Sequence, residues 1–222
     1  MGNQQINSSS IESFVLSINE DEVQNIEESQ LMSSLFNLYK IFQKNPNAYI
    51  DFKKSEEKQI VNANLVLNKE GESEGSSSSK ITKAKKYQSI LLNLLMKKFD
   101  NEIIYLLLFK LISYIVNEKE FLNAFMKNGL EQLCVLILGI EKKLSKIVFI
   151  EGCELLNKLM CIFHTKPSLL EKQLSTLFKI FSIPKKLNEK EYMSDYNMNL
   201  KLCQLMKNCI ILLVTIQEIL KT

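Results

Sequence analysis

Apolar residues recur at three- and four-residue spacing through most of the chain after Lys83, which is the pattern of amphipathic helices. The pattern predicts helices over 83–99, 101–116, 118–127, 129–141, 145–164, 168–181 and 195–220. N-caps are expected at Asp100, Asn117, Ser168 and Ser194. Asn128-Gly129 is expected to break the chain between the third and fourth of these helices. Because no stretch alternates apolar and polar residues for long, the prediction is an all-α fold.

Changes in composition along the chain predict four regions. They are a disordered acidic arm (1–28), an N-terminal helical segment (29–67), a flexible Ser-rich linker (68–82) and a helical repeat domain (83–222). The clearest helix of the second region covers 29–43 and ends at Asn45-Pro46-Asn47. Its apolar face consists of Leu31, Leu35, Leu38 and Phe42. Within the arm, the apolar residues Phe14, Val15, Leu16 and Ile18 allow a short docking turn.

Two apolar series recur within the predicted repeat domain. The first repeats every 41 residues, as Leu92, Leu95, Met96 and Phe99, then Leu133, Leu136, Ile137 and Ile140, then Leu174, Leu177, Phe178 and Phe181. The second repeats every 47 residues, as Leu108, Phe109, Ile112, Ile115 and Val116, then Leu155, Leu156, Leu159, Ile162 and Phe163, then Leu202, Cys203, Met206, Cys209 and Ile210. Such periods are typical of stacked helical repeats. An irregular helical bundle is the alternative, since any two amphipathic stripes can be aligned by sliding.

The stretch from Phe125 to Leu133, followed by 153–159, carries a family resemblance. A helix end, a Gly turn and a helix that begins with an apolar residue resemble one armadillo unit, and the stretch is more weakly similar to the armadillo-like regulatory region of formins. The resemblance implies a short armadillo/HEAT-like right-handed α-solenoid. Armadillo proteins often carry asparagines on the concave face that bind peptide backbones. Asn157 aligns there, with Asn117 and Asn208 loosely equivalent, so these three are the candidate partner groove.

The charged residues are evenly balanced, and every basic residue is a lysine. The net charge is only +3, so the chain has no strong field for nucleic acid. The absence of arginine is typical of a very AT-rich genome. It also removes the guanidinium fork that reads guanine or clamps phosphate. We therefore predict no specific nucleic-acid partner.

The candidate chemistry of thiols and imidazole is sparse. The five cysteines are odd in number and lie in apolar helical patterns, which predicts reduced, buried thiols in a cytoplasmic protein. Cys161 precedes His164, the single histidine, but no CxxC pair accompanies them, so no metal site is expected. Nucleotide-binding and hydrolase motifs are also absent from the sequence. The prediction is a protein without enzymatic activity, cofactor or small-molecule substrate.

A membrane-associated alternative rests on two features of the N-terminal half. Gly2 follows the initiator methionine, as N-myristoylation requires, although Ile6 replaces the favoured Ser or Thr. A stretch without acidic residues contains the lysines Lys80, Lys83, Lys85, Lys86, Lys97 and Lys98, which an anionic surface would attract. Within the chain, acidic residues of 12–28 are a competing partner for these lysines. No segment has the length of a transmembrane span.

The function predicted first is a protein-protein interaction or scaffold module that binds a partner through a helical-repeat surface. The alternatives are a peripheral membrane adaptor that uses Gly2 and the lysine cluster, and a helical subunit of a larger assembly. The expected location is cytoplasmic, with a membrane surface as the alternative.

Overall fold

The computed structural model describes residues 2–18, 26–67, 82–139, 144–165, 179 and 196–219. All regular structure in these residues is helical, which confirms the all-α part of the predicted fold. The chain forms two compact units, Met1–Lys97 and Lys98–Thr222.

Unit 1 contains four helices within its described residues: α1 (Gly2–Ser17), α2 (Glu28–Lys44), α3 (Ala48–Leu67) and α4 (Lys83–Met96). Helix α1 contacts each of the other three. Helix α1 packs within the stretch 1–28 that the sequence predicts as a disordered arm, of which 19–25 lie outside the described residues. The reason is a stripe at positions i, i+3, i+4 and i+7 that is buried in the structure: Ile11, Phe14, Val15 and Ile18.

The end of α2 follows the sequence prediction. The face formed by Leu31, Leu35, Leu38 and Phe42 is buried. Asn45 ends the helix: its N–H donates to the Ile41 carbonyl at 2.8 Å, and its side-chain oxygen accepts from the Asn47 N–H at 3.0 Å. This Asx turn leads directly into α3.

Helix α4 belongs to unit 1, whereas the sequence placed it at the start of the repeat domain. Its Tyr87 ring stacks on Tyr49 of α3 at 5.6 Å and meets Phe14 of α1 edge-on at 5.9 Å. The boundary therefore lies between Lys97 and Lys98, because α4 buries its apolar face on α1 and α3. The predicted linker lies outside the described residues except for Thr82, which is the N-cap of α4.

Unit 2 contains α5 (Glu102–Ile115), α6 (Lys119–Ala124), a π-helical segment (Phe125–Gly129), α7 (Leu130–Ile137), α8 (Lys146–Thr165) and α9 (Tyr196–Ile219). The predicted helix over 168–181 lies outside the described residues except for Lys179, as do the expected caps Ser168 and Ser194. Asn101, rather than Asp100, caps α5 by accepting from the Ile103 N–H at 3.0 Å. Glu118, rather than Asn117, precedes α6.

The break predicted at Asn128-Gly129 is wrong. Helical backbone continues through both residues as a π-helical segment, and Gly129 has φ −74° and ψ −33°. Phe125, Met126 and Leu130 are buried around it, so core packing holds the chain in helical conformation where the local sequence favours a turn. The glycine with a left-handed backbone is instead Gly139, at φ 61°, which follows α7.

A polar cluster lies inside unit 1. The Tyr49 hydroxyl accepts from the Gln88 amide at 2.7 Å and donates to the Ala84 carbonyl at 3.4 Å. The Tyr87 hydroxyl is buried without a hydrogen-bond partner among the described residues. Burial, and secondarily the neighbouring Tyr49, raises the pKa of Tyr87, which keeps the phenol neutral.

Two conservative substitutions in this cluster are expected to act in opposite directions. Tyr87→Phe removes an unpaired buried hydroxyl and should stabilise the fold by about 1 kcal/mol, whereas Tyr49→Phe leaves the Gln88 amide without its acceptor and should destabilise it by about 1–2 kcal/mol. Urea unfolding followed by circular dichroism measures both. Equal losses in the two variants would contradict the assignment of the unpaired hydroxyl to Tyr87.

Candidate interaction surfaces

Helices α5 and α8 lie side by side and run parallel. Three contacts join successive levels of the pair: the Ser145 N–H donates to the Glu102 carboxylate at 2.6 Å, Lys110 pairs with Glu151 at 2.5 Å, and the Lys158 ammonium donates to the Ser113 carbonyl. From one contact to the next, the residue number increases on both helices, as expected for a parallel pair. The two partners of each contact are 43, 41 and 45 residues apart in sequence. Burial lowers the pKa of Lys158, whose acceptor lies in the last turn of α5.

Helices α8 and α9 form a second parallel pair. Lys201 of α9 pairs with Glu154 of α8 at 2.8 Å, and further along the Asn208 amide donates to the Asn157 side-chain oxygen at 3.0 Å. Asn157 also donates to the Lys201 carbonyl at 3.5 Å. Two of the three candidate groove asparagines are thus brought together, where they join α8 to α9. Asn117 lies elsewhere, exposed after the end of α5.

The side of α9 opposite α8 presents apolar side chains to solvent. On the α8 side, Leu205 is fully buried. The opposite side carries the exposed residues Leu200, Cys203, Met206, Ile210, Ile211 and Val214, here called the α9 stripe. Ile210 is 58% exposed and Val214 50%. A shallow cavity of about 360 Å³ lies along the stripe, with the Lys207 side chain in its wall.

Three residues of the α9 stripe, Cys203, Met206 and Ile210, correspond to positions that are buried in the two preceding copies of the second apolar series. Phe109 of α5 and Leu156 of α8 correspond to Cys203, and Val116 and Phe163 correspond to Ile210. All four counterparts have 0% exposure. The sequence suggested the same core role for all three copies, whereas Cys203, Met206 and Ile210 of the third copy are exposed.

The described lysines of the predicted cluster lie at the two ends of α4. Lys83 forms an ion pair with Glu12 of α1, which agrees with the intramolecular alternative. At about 100° per residue, Lys83 and Lys86 are 60° apart and share one side of α4, whereas Lys85 is about 160° away from Lys83. Lys97 is at the other end of α4, Lys98 follows it, and Lys80 lies outside the described residues.

The N-terminus of α4 is held by a carboxylate from α3. Glu56 accepts from the Lys83 N–H at 2.5 Å and the Ala84 N–H at 3.0 Å, and the Thr82 hydroxyl accepts from the Lys85 N–H at 3.3 Å. A cavity of about 230 Å³ adjoins this junction, lined in part by Glu12, Glu56 and Lys83. These polar groups are engaged with one another, so the cavity has a structural explanation.

The thiols differ from one another in environment. Cys134 and Cys153 are buried as predicted, whereas Cys161 and Cys203 are exposed, contrary to the expected core role. Cys161 lies on a different side of α8 from the buried Leu159. The sequence pattern alone assigned both residues to the same apolar stripe. Burial, and secondarily Glu154, raises the pKa of Cys153 and keeps that thiol protonated. Across the described residues, no three His, Cys, Asp or Glu side chains converge as a metal site.

Comparison with protein-family models, curated proteins and solved structures found no match to this chain. Gly2 is the first residue of α1, and its acylation stays a prediction. None of the helices in the described ranges is both long and apolar enough to cross a bilayer.

Proposed function

We propose that this protein is a non-enzymatic scaffold whose helical repeats bind another protein on the α9 stripe, in the position that a further repeat helix would take. The observation that carries the proposal is the exposure of Met206 and Ile210, whose counterparts on α5 and α8 are all buried. An apolar face of this extent is favourable to cover, because burying apolar surface gives roughly 25 cal/mol per Å².

The parallel pairs α5–α8 and α8–α9 support an armadillo/HEAT-like solenoid as the architecture of unit 2. In such a solenoid each repeat contacts only its neighbours, so equivalent helices stack in parallel about one repeat length apart. The contacting residues are 41–45 positions apart in sequence for the first pair and 44–51 for the second, which is in or near that range. A stack of this kind has an apolar face at each end unless something caps it.

A site-specific crosslinking experiment tests the proposal. The full chain would carry p-benzoylphenylalanine at position 210 and be exposed to an extract of cells that produce it. The control carries the same group at position 123, an exposed residue of α6. We expect one protein to crosslink at 210 and not at 123, and the purified partner to bind saturably.

The purified partner then tests whether the crosslink reports binding. Ile210→Asp should weaken its affinity at least about tenfold, because an apolar anchor is replaced by a charge that must be desolvated. Circular dichroism checks that the variant is folded. Equal crosslinking at 210 and 123, or affinity unchanged by Ile210→Asp, would refute this function.

A further inference from the structure

The α9 stripe has a spacing that restricts what can cover it. Leu200, Cys203, Lys207, Ile210 and Val214 alternate at intervals of three and four residues, which is the seam of a heptad pattern. At 1.5 Å per residue this seam is about 21 Å long. Ridges at this spacing pack into the grooves of another helix.

We infer that the α9 stripe binds an amphipathic helix of a partner protein that carries a carboxylate opposite Lys207. The inference rests on the proposed function and specifies the partner for the same surface. Its two elements are the helical form of the occupant and the negative charge at its centre.

The helical form follows from how the same face is covered elsewhere in unit 2. The equivalent apolar residues of α5 and α8 are buried in an all-helical environment, as far as the structure describes it. A Cβ atom placed on Gly152 of α8, for example, would be 2.9 Å from Ile137 of α7 and 3.3 Å from Phe109 of α5. A helix on the α9 stripe reproduces this type of packing.

The charge follows from Lys207. Its side chain lines the cavity with Cys203, Met206, Ile210 and Ile211, and no described residue pairs with its ammonium. An apolar helix laid over the seam would desolvate this cation without compensation, which is costly. A carboxylate in the covering helix removes that cost and selects against partners that lack one.

Lys207 also disfavours a second copy of this chain as the occupant. It lies midway between Leu200 and Val214, so a symmetric pairing along the seam brings both ammonium groups near the two-fold axis. Like charges held together in a desolvated seam repel one another.

Two synthetic helical peptides of about three heptads test the inference. Both have leucine at the a and d positions, and the central a position is glutamate in one and lysine in the other. Fluorescence anisotropy of nanomolar labelled peptide, below self-association, gives the affinity of the full chain for each. The wild type should bind the glutamate peptide about tenfold more tightly than the lysine peptide.

Three variants of the full chain complete the test. Lys207→Glu should reverse the preference, Lys127→Glu on the exposed π-helical segment should leave it unchanged, and Ile210→Asp should abolish binding of both peptides. Equal affinities for the two peptides, or a preference that Lys207→Glu does not move, would overturn the inference. So would a stable dimer of the chain alone, detected by sedimentation, that Ile210→Asp dissociates.

The crosslinked partner separates this inference from the function on which it rests. If that partner binds through position 210 but Lys207→Glu does not weaken it, the scaffold function holds and the acidic helix is wrong. If nothing crosslinks at 210, the scaffold function itself is wrong.

Discussion

Replacing Gly152 by alanine is expected to lower the free energy of unfolding by about 2 kcal/mol. Gly152 lies within α8, where a Cβ atom would be 2.9 Å from Cγ1 and 3.0 Å from Cδ1 of Ile137, and 3.3 Å from the Phe109 ring. Alanine gains up to about 1 kcal/mol in helix propensity over glycine, but overpacking costs about 1–3 kcal/mol or more. Overpacking dominates because Cγ1 is close to the backbone of α7 and the Phe109 ring is fully buried.

A control and a double mutant make this prediction specific. Cys161→Ala, at an exposed position of the same helix, should change stability by less than about 0.5 kcal/mol. Ile137→Ala should cost about 2–4 kcal/mol in the wild type and at least about 1 kcal/mol less in the Gly152→Ala background, because it removes the two atoms that the new methyl approaches most closely. Guanidinium unfolding followed by circular dichroism gives all four values. Strict additivity would contradict the proposed clash.

Glu56→Ala is expected to destabilise unit 1 by about 2 kcal/mol. The substitution removes the acceptor for the Lys83 and Ala84 N–H groups and exposes the start of α4 to fraying. These hydrogen bonds contribute more to stability than an ordinary helix cap does, because the acceptor is charged and lies at the positive end of the helix dipole. Hydrogen exchange should accelerate in the first two turns of α4.

Glu57→Ala provides the matched control for Glu56. Glu57 is the next residue of α3 and is exposed, so its loss should change stability by less than about 0.5 kcal/mol. Glu56→Gln should lie between the two, since the amide oxygen accepts one hydrogen bond without the charge. If Glu56→Ala and Glu57→Ala have the same effect on exchange in α4, the carboxylate does not hold this helix end.

The sequence was most informative where an apolar stripe was long. The face of α2 and the helices α5 and α8 were predicted close to their observed bounds, because regular spacing at 3.6 residues identifies a buried helix face without knowledge of its partner. It was least informative at Asn128-Gly129 and in the acidic arm. There the local preference for a turn or for disorder is weak compared with the burial of neighbouring apolar residues, which only the packed chain provides.

The candidate surface could be predicted in part only. The second repeat series did place Cys203, Met206 and Ile210 on one face of the last helix. It did not indicate that this face is open, because a stripe covered by a helix and a stripe facing solvent have the same sequence pattern. The asparagines were likewise predicted in part only. Asn157 and Asn208 were predicted to line a partner groove, whereas in the structure their side chains form a hydrogen bond between α8 and α9.

By itself, the order of apolar and polar residues determined that this chain is helical and where the faces of α2, α5 and α8 lie. The tertiary structure alone decided that α1 and α4 pack together in unit 1, that α8 runs parallel to both α5 and α9, and that the α9 stripe is exposed. The physical reason is that periodicity is a property of one helix, whereas burial depends on which other helix is close enough to exclude water.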